Sequence, residues 1–382
     1  MEIADEDFIE SYNDLRCSTI LNIVDKPLIP NSRIAIKDND TVYKYFCNRN
    51  LKALDIILDI LKSYQGNPGY AVLELLISSA INLIKLSDKK ASSQMPYWLP
   101  KTNVTSRNAI MVIEKKVAAF KDGLIYLNEC CQLHDGIEGQ DEKLLTIRNE
   151  AAQDISKKDL PDGSVDLILT DPPYTDQVPY IEYSQIIYNI LNWDALTEDI
   201  LNSELVVSDA PSRKKDTDDF NTVFSLIVER ASKALRDGGY FVMFYHTFDL
   251  KSWSKILTLM QTYGLQYRHQ IPSATPRKSF KTIMSPNSTL DGNYIIVFQK
   301  TDTGNCACFE GTLLDAKNKA IDCANRIISD GQSITTQDLY DCGMLKCAFE
   351  DGYLGILADA FSSFAEVIKD EFNYTDGIWR EK

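Results

Sequence analysis

The sequence is poor in metal-binding side chains and has no long apolar run. It contains only three histidines, His134, His246 and His269, and no two of them are spaced to share a metal. Its nine cysteines form no paired CxxC motifs, which predicts buried thiols in a reducing compartment and no metal centre. The longest apolar stretch, residues 70–86, is interrupted by polar residues and predicts a core helix instead of a membrane span. The first ten residues lack the layout of a signal peptide, which favours a cytoplasmic protein.

Positive charge is also scarce. The 40 Lys and Arg residues face 55 Asp and Glu residues, which gives a formal net charge of −15. Because nucleic-acid phosphates are neutralised by Lys and Arg, this balance excludes a generally basic binding surface. If the protein acts on nucleic acid, we expect a local basic patch or a basic partner subunit.

The patterning changes twice along the chain, which predicts three regions. Residues 1–143 show helical periodicity, notably over 42–61, 71–86 and 108–120, and are predicted to be mostly helical. Residues 144–300 alternate short apolar runs with helices, which predicts an α/β domain with a doubly wound, mostly parallel sheet. Residues 301–382 are predicted to be helical again. The predicted strands are 144–148, 165–170, 240–246, 265–271 and 294–299, with a short helix over 152–157.

A proline-rich loop follows the most apolar of these strands. The turn Asp162-Gly163 leads into Val165–Thr170, whose apolar run is typical of a buried parallel strand. Asp171-Pro172-Pro173-Tyr174 comes next, at the carboxyl end of the strand, which is where open α/β sheets bind ligands.

The residues of this loop suit chemistry on an aromatic amine. The prolines fix φ, so the Pro172 carbonyl can accept one N–H hydrogen while the Asp171 carboxylate accepts the other. Two acceptors favour the pyramidal, nucleophilic nitrogen and stabilise the positive charge that develops during attack. Tyr174 offers a flat face on which an extruded base can stack, worth about 1–3 kcal/mol. The alternative is a chance Pro-Pro turn without function.

The longer run LPDGSVDLILTDPPY, which ends at Tyr174, resembles the leader and catalytic motif of the amino-methyltransferases. This resemblance extends over residues 144–300 and implies a Rossmann-like methyltransferase sheet, S-adenosyl-L-methionine as methyl donor and DNA as target. In that family an aspartate at the first loop position goes most often with adenine N6, and a serine with cytosine N4. Asp171 therefore favours an adenine-specific DNA methyltransferase, with cytosine N4 and guanine N2 in RNA as alternatives.

Other stretches extend the resemblance. Asn149 and Glu150 stand where the family has a strand ending in an acidic residue near the cofactor adenine, which predicts that they and Asp171 contact the cofactor. Residues 235–246 resemble the strand that closes the target-base pocket. The run from Asp171 to Ser184 is similar to large bacterial adenine-specific methylases, although Thr175 replaces their second aromatic residue. We therefore expect a restriction-modification or phage-defence setting.

The family's cofactor motif is missing. In those enzymes the first strand ends in Asp-Pro-Phe-x-Gly-x-Gly, whose glycines let the backbone approach the cofactor. No strand–glycine–helix run of this kind occurs before or after the catalytic loop. Three interpretations stay open. The chain is the catalytic half of a split, heteromeric enzyme whose partner subunit carries the motif, or a silent scaffold or specificity subunit, or a solitary domain with a degenerate cofactor pocket.

Five further residues are candidates for substrate binding. Tyr180 is predicted either to wall the base pocket or to pack at a helix start, and His246 ends a predicted strand at the same sheet edge. Arg277, Lys278 and Lys281 lie in a stretch without acidic residues between the last two strands, which makes them candidates for DNA contacts. The alternative for these three is a solvated loop.

Two other basic groups are predicted to be solvated surface charge. Arg213, Lys214 and Lys215 are followed by several acidic residues, which is typical of an exposed run. Arg107 with the pair 115–116 could flank a groove, but ordinary helix-surface charge is the favoured interpretation.

Overall fold

The chain folds into two compact units. The first unit comprises Met1–Asn149 and Gln177–Thr217, and the second comprises Glu150–Asp176 and Asp218–Lys382. The computed structural model describes residues 22–88, 97, 99, 104–135, 146–173, 179–193, 196–208, 210–211, 213–245, 247–273, 293–301, 309–329 and 334–382.

The first unit consists of helices around an apolar core. In its first long helix, Leu51, Leu54 and Leu61 are buried, because their spacing places them on one face. The helix predicted over 71–86 is confirmed, and the one predicted over 108–120 continues as far as Asp135. The helix predicted over 42–61 is divided into a 3₁₀ helix, Val42–Tyr45, and an α-helix that begins at Asn48. Its elements are α1 (Asn48–Ser63), α2 (Tyr70–Ile84), β1 (Ser87–Asp88), β2 (Val104–Thr105), α3 (Ala109–Asp135), α4 (Tyr180–Leu191) and α5 (Glu198–Ser203), with β1 and β2 antiparallel.

The second unit contains an open four-stranded sheet. Its strands are β3 (Val165–Thr170), β4 (Leu235–Tyr245), β5 (Leu265–Ser273) and β6 (Asn293–Lys300), in the order β3-β4-β6-β5. Strands β3 and β4 are parallel, whereas β6 is antiparallel to both β4 and β5. The α/β fold class is therefore confirmed.

The prediction of a mostly parallel sheet is wrong for the described strands, since two of their three pairings are antiparallel. Helix α7 (Leu250–Thr262) connects β4 to β5, and these two strands run in the same direction. They do not pair with each other because β6 lies between them. Alternating strands and helices in a sequence indicate the elements, but not which strands become neighbours.

Strand β3 lies at an open edge of this sheet. Among the described strands it pairs only with β4, and its Leu167 and Leu169 side chains are 56% and 65% exposed. The predicted burial of this strand is therefore wrong. Its apolar composition is typical of a strand whose two faces are both covered, but the described part of the chain leaves the face with Leu167 and Leu169 exposed.

The segment before β3 also differs from the prediction. Residues 146–150 have no strand structure, and Ile147 is 85% exposed. The helix predicted over 152–157 is reduced to a 3₁₀ turn, Ala152–Asp154. The single apolar side chain within 146–150 is therefore not packed as a strand residue would be against the described part of the chain.

Helices cover the sheet and continue beyond it. Helix α6 (Thr217–Ala234) buries Phe220, Phe224 and Val228, which are spaced four residues apart on one face. The remaining elements are α8 (Leu313–Ile328), α9 (Thr336–Asp341), α10 (Met344–Glu350), α11 (Leu354–Ala360), α12 (Phe364–Ile368) and the hairpin of β7 (Phe372–Thr375) and β8 (Ile378–Glu381). None of the helices within the described ranges is long and apolar enough to cross a membrane.

Candidate active site

The predicted catalytic loop begins directly after β3. Thr170, the last residue of β3, pairs in register with Met243 of the parallel strand β4. Asp171 follows with an exposed side chain, Pro172 is buried and Pro173 is half-buried. The loop therefore leaves the carboxyl end of a parallel strand pair, as predicted, and it begins with an exposed aspartate and a buried proline.

Contacts at the opposite end of β3 hold the strand in place. Gly163, whose φ of +70° favours glycine, donates its N–H to the Lys233 carbonyl at 2.9 Å. The Arg236 guanidinium of β4 pairs with the Asp166 carboxylate at 2.5 Å. The Arg230 side chain donates to the Ile155 carbonyl at 2.9 Å. Helix α6 and β4 together therefore position the strand that presents Asp171.

Several of the predicted site residues lie outside the described residues. Tyr174, the fourth residue of the catalytic loop, is among them. The same holds for His246 and for the three cations predicted to contact DNA, Arg277, Lys278 and Lys281. Their predicted roles stay predictions.

Asn149 and Glu150, the predicted cofactor contacts, are both exposed. They lie in the segment without strand structure that precedes the 3₁₀ turn, so the strand end expected to present them is not formed there. Their role in cofactor binding stays a prediction, and the strand end from which it was predicted is not formed.

Tyr180 is the first residue of α4 and belongs to the first unit. Its ring is 55% exposed, so it is not packed into the core at the helix start. An exposed aromatic ring is available to contact a ligand, and its predicted role in the base pocket stays a prediction.

The beginning of α4 is held by a buried group of three charges that the sequence patterns do not predict. The Arg213 guanidinium donates to Glu182 at 2.8 Å and to Glu204 at 2.6 Å, and all three side chains are at most 10% exposed. Burial raises the pKa of the Glu182 carboxyl, and the positive charge of Arg213 opposes that shift. These contacts lie within the first unit and fix the loop containing Arg213 against α4.

The predicted solvation of residues 213–215 is therefore wrong for two of them. Arg213 and Lys215 are buried, and only Lys214 is exposed. The Lys215 ammonium donates to the carbonyls of Asn202 at 2.6 Å and Glu204 at 2.5 Å. These partners, Glu182, Asn202 and Glu204, precede Arg213 and Lys215 in the sequence by 9 to 31 residues.

The glycines of the described residues do not form a cradle for S-adenosyl-L-methionine. The connection from β2 to α3 and the described residues between β4 and α7 contain no glycine. The described residues between β6 and α8 contain one, Gly311, where a Cβ would lie 2.5 Å from the Phe309 ring. A side chain at Gly239 would lie 2.9 Å from the Arg236 carbonyl and 3.1 Å from the Asp166 carbonyl, so this glycine permits strand packing and not the approach of a ligand. Within the described ranges, no group of acidic, His or Cys side chains is arranged to hold a metal.

Comparisons with known proteins give distant similarities only. No protein-family model and no curated protein matches the sequence. Three solved structures of a candidate DNA modification methylase from Thermus thermophilus are similar, one of them a selenomethionine derivative and one complexed with S-adenosyl-L-methionine.

The selenomethionine derivative is 13% identical at a TM-score of 0.23, and the complex is 14% identical at the same TM-score. Both alignments cover 46% of this chain and 60% of the methylase chain. The third structure is 12% identical at a TM-score of 0.22, over 47% of this chain and 62% of the other. Similarity at this level is too distant to assign a family or a function.

Proposed function

We propose that this chain is the catalytic half of an S-adenosyl-L-methionine-dependent DNA methyltransferase that acts on the N6 amine of adenine. The observation that carries the proposal is the placement of Asp171-Pro172-Pro173 directly after β3, at the carboxyl end of a parallel strand pair. The motif resemblance supplies the reaction and the target. The proposal includes a restriction-modification or phage-defence setting in the cytoplasm.

The chain's own residues act on the amine. The exposed Asp171 carboxylate accepts one hydrogen of the adenine NH₂ group, and the Pro172 carbonyl accepts the other. These two acceptors orient the nitrogen lone pair and stabilise the positive charge that develops on it. The sequence assigns Tyr174 to stacking on the extruded base, Tyr180 and His246 to substrate binding, and Arg277, Lys278 and Lys281 to contacts with the DNA backbone.

The methyl donor is held with the help of a second subunit. Two observations support this part of the proposal. The described residues provide no glycine-rich turn between a strand and a helix, and Asn149 and Glu150 are exposed in a segment without strand structure. A partner chain that carries the missing motif would complete the site.

The open edge of β3 supports the same partner. Leu167 and Leu169 point to the same face of the strand and are both mostly exposed. The one charged residue of the strand, Asp166, already pairs with Arg236. Edge strands are ordinarily protected by charge, proline or a covering element, so an apolar edge fits a strand that is covered by a partner.

The test is methyl transfer to duplex DNA by the chain, alone and with the product of the neighbouring gene. With the partner we expect N6-methyladenine, and Asp171→Ala should lower the rate by about 100-fold or more because it removes one of the two acceptors. Asp237→Ala is the matched control, since it removes an exposed aspartate near the start of β4.

Each other result selects an alternative. Methylated cytosine or methylated RNA would replace adenine N6 as the target. Equal activity of Asp171→Ala and wild type would overturn the catalytic role of the loop. Tight binding of S-adenosyl-L-methionine by the isolated chain in calorimetry would contradict the split enzyme. Complex formation without methylation would identify a scaffold or specificity subunit.

A further inference from the structure

A groove with three positive charges lies along the first half of α3, in the first unit. Its volume is about 500 Å³. Arg107, Lys115 and Lys116 supply the charges, while Leu83 and Met111 contribute apolar surface. The sequence analysis favours ordinary surface charge for these three basic residues, whereas the structure places them along a groove. It is built from described residues of one unit only.

Helical geometry explains why these charges lie together. Asn108, Val112, Lys115 and Ala119 follow steps of three or four residues and therefore share one side of α3, next to Lys116. Glu114, the nearest acid along the helix, is exposed and is not among the residues that line the groove.

The three cations are available to a ligand. Arg107 and Lys115 are exposed, and Lys116 is half-buried. None of the three forms an ion pair with an acidic side chain in the described part of the chain. In a chain of net charge −15, this is a local concentration of positive charge in a concave surface.

The arrangement points to an extended polyanion. Lys116 lies about 10.5 Å along the helix axis from Ala109, the first residue of α3, and Arg107 precedes Ala109 by two residues. Phosphates of one DNA strand rise by about 3.4 Å each along the duplex, so the helical part of the groove alone spans about three steps. A single small anion would contact one end of such a groove and leave the other charge unneutralised.

We propose that this groove on α3 binds the phosphate backbone of duplex DNA. The choice of DNA among polyanions rests on the proposed function, but the groove itself does not involve the catalytic loop. An acidic chain needs a local basic patch or a basic partner to bind nucleic acid, and the groove supplies such a patch within this chain. The apolar side chains of the groove contact the sugars between the phosphates.

The test is fluorescence anisotropy of the full chain with a labelled duplex, measured over a range of salt concentrations and without cofactor or partner. The triple variant Arg107→Gln, Lys115→Gln, Lys116→Gln should bind at least about 10-fold more weakly at low salt. Its slope of log affinity against log salt should be smaller than that of wild type by about 2–3, since each lost phosphate contact removes about 0.9.

The matched control is the triple variant Lys37→Gln, Lys255→Gln, Arg380→Gln, which removes the same charge from exposed positions elsewhere. It should retain most of the wild-type slope. Equal slopes for the two triple variants, or no binding of duplex by wild type, would overturn the proposal. Loss of binding to RNA but not to duplex DNA would also overturn it.

This measurement separates the groove from the proposed function. If the groove variant binds DNA normally while Asp171→Ala abolishes methylation, the groove proposal fails and the proposed function stands. If the groove variant loses DNA binding and no partner yields methylation, the groove stands and the proposed function fails.

Discussion

The two units differ in how many polar side chains they bury. The buried polar side chains of the described residues are concentrated in the first unit: Asn31, Asp40, Asn50, Asp55, Ser78, Lys85, Glu182, Gln185, Ser208, Arg213 and Lys215. Of the polar residues in the described part of the second unit, only Ser232 is buried. Both units expose apolar side chains, and in the second unit two of these, Leu167 and Leu169, lie on β3.

Buried polar pairs and exposed apolar strands have different consequences for the fold. A buried charge is costly unless its partners are correctly placed, so each buried pair in the first unit favours one arrangement of helices and loops. An exposed apolar edge leaves surface in water that a further strand would remove. Buried polar contacts therefore help to specify the fold of the first unit, and the exposed apolar side chains of β3 in the second unit fit an added element. Stability measurements at three positions test this comparison.

The largest effect is expected at Arg213. Replacing it by Met leaves the Glu182 and Glu204 carboxylates without their shared partner, and breaking a buried ion pair in this way costs about 3–5 kcal/mol. Urea unfolding of the chain measures the loss. Lys214→Met is the matched control, because Lys214 is adjacent and exposed, and it should change stability by less than about 0.5 kcal/mol. Equal effects of the two variants would contradict a polar interior that specifies the first unit.

The next effect has the opposite sign. The Lys85 ammonium is buried and has no hydrogen-bond partner among the described residues, and burial lowers its pKa to about 8. Lys85→Met should raise the free energy of unfolding at pH 7 by about 1–3 kcal/mol, since an unpaired buried donor is removed. Lys62→Met, at an exposed position, should leave it nearly unchanged.

The same residue predicts a pH dependence. Between about pH 8 and 10 the folded chain has released the Lys85 proton while the unfolded chain still holds it, so this group makes stability rise with pH in that window. The gain of Lys85→Met over wild type should therefore shrink from pH 7 to pH 10. A gain that stays constant over this range would show that Lys85 does not titrate as a buried lysine.

The smallest effect on the isolated chain is expected at the edge of β3. Leu169→Lys changes a side chain that is already mostly exposed, so its free energy of unfolding should change by about 0.5 kcal/mol or less. The same variant should abolish complex formation with the partner, measured by analytical ultracentrifugation. Leu226→Lys, on the exposed surface of α6, is the control and should leave the complex intact. A large loss of stability by Leu169→Lys alone would show that the edge is already covered within the chain.

Local patterns predicted much of the fold. The periodicity of Leu51, Leu54 and Leu61 predicted α1, and the apolar run Val165–Thr170 predicted β3 and the position of the loop after it. The hairpin of β7 and β8 was missed although its signal is present. Asp376 and Gly377 both have positive φ, 56° and 81°, as the tight turns of two-residue hairpins require.

The sequence by itself determined the elements and the place of the Asp171 loop, because hydrophobic period and proline and glycine positions act within a few residues of each other. Only the tertiary structure decided that β3 is an edge strand, that Arg213 is buried and that Lys115 lines a groove. These outcomes depend on partners distant along the chain, such as Glu182, which lies 31 residues before Arg213. A side chain's burial depends on which distant groups pack around it, and the pattern of its immediate neighbours does not contain that information.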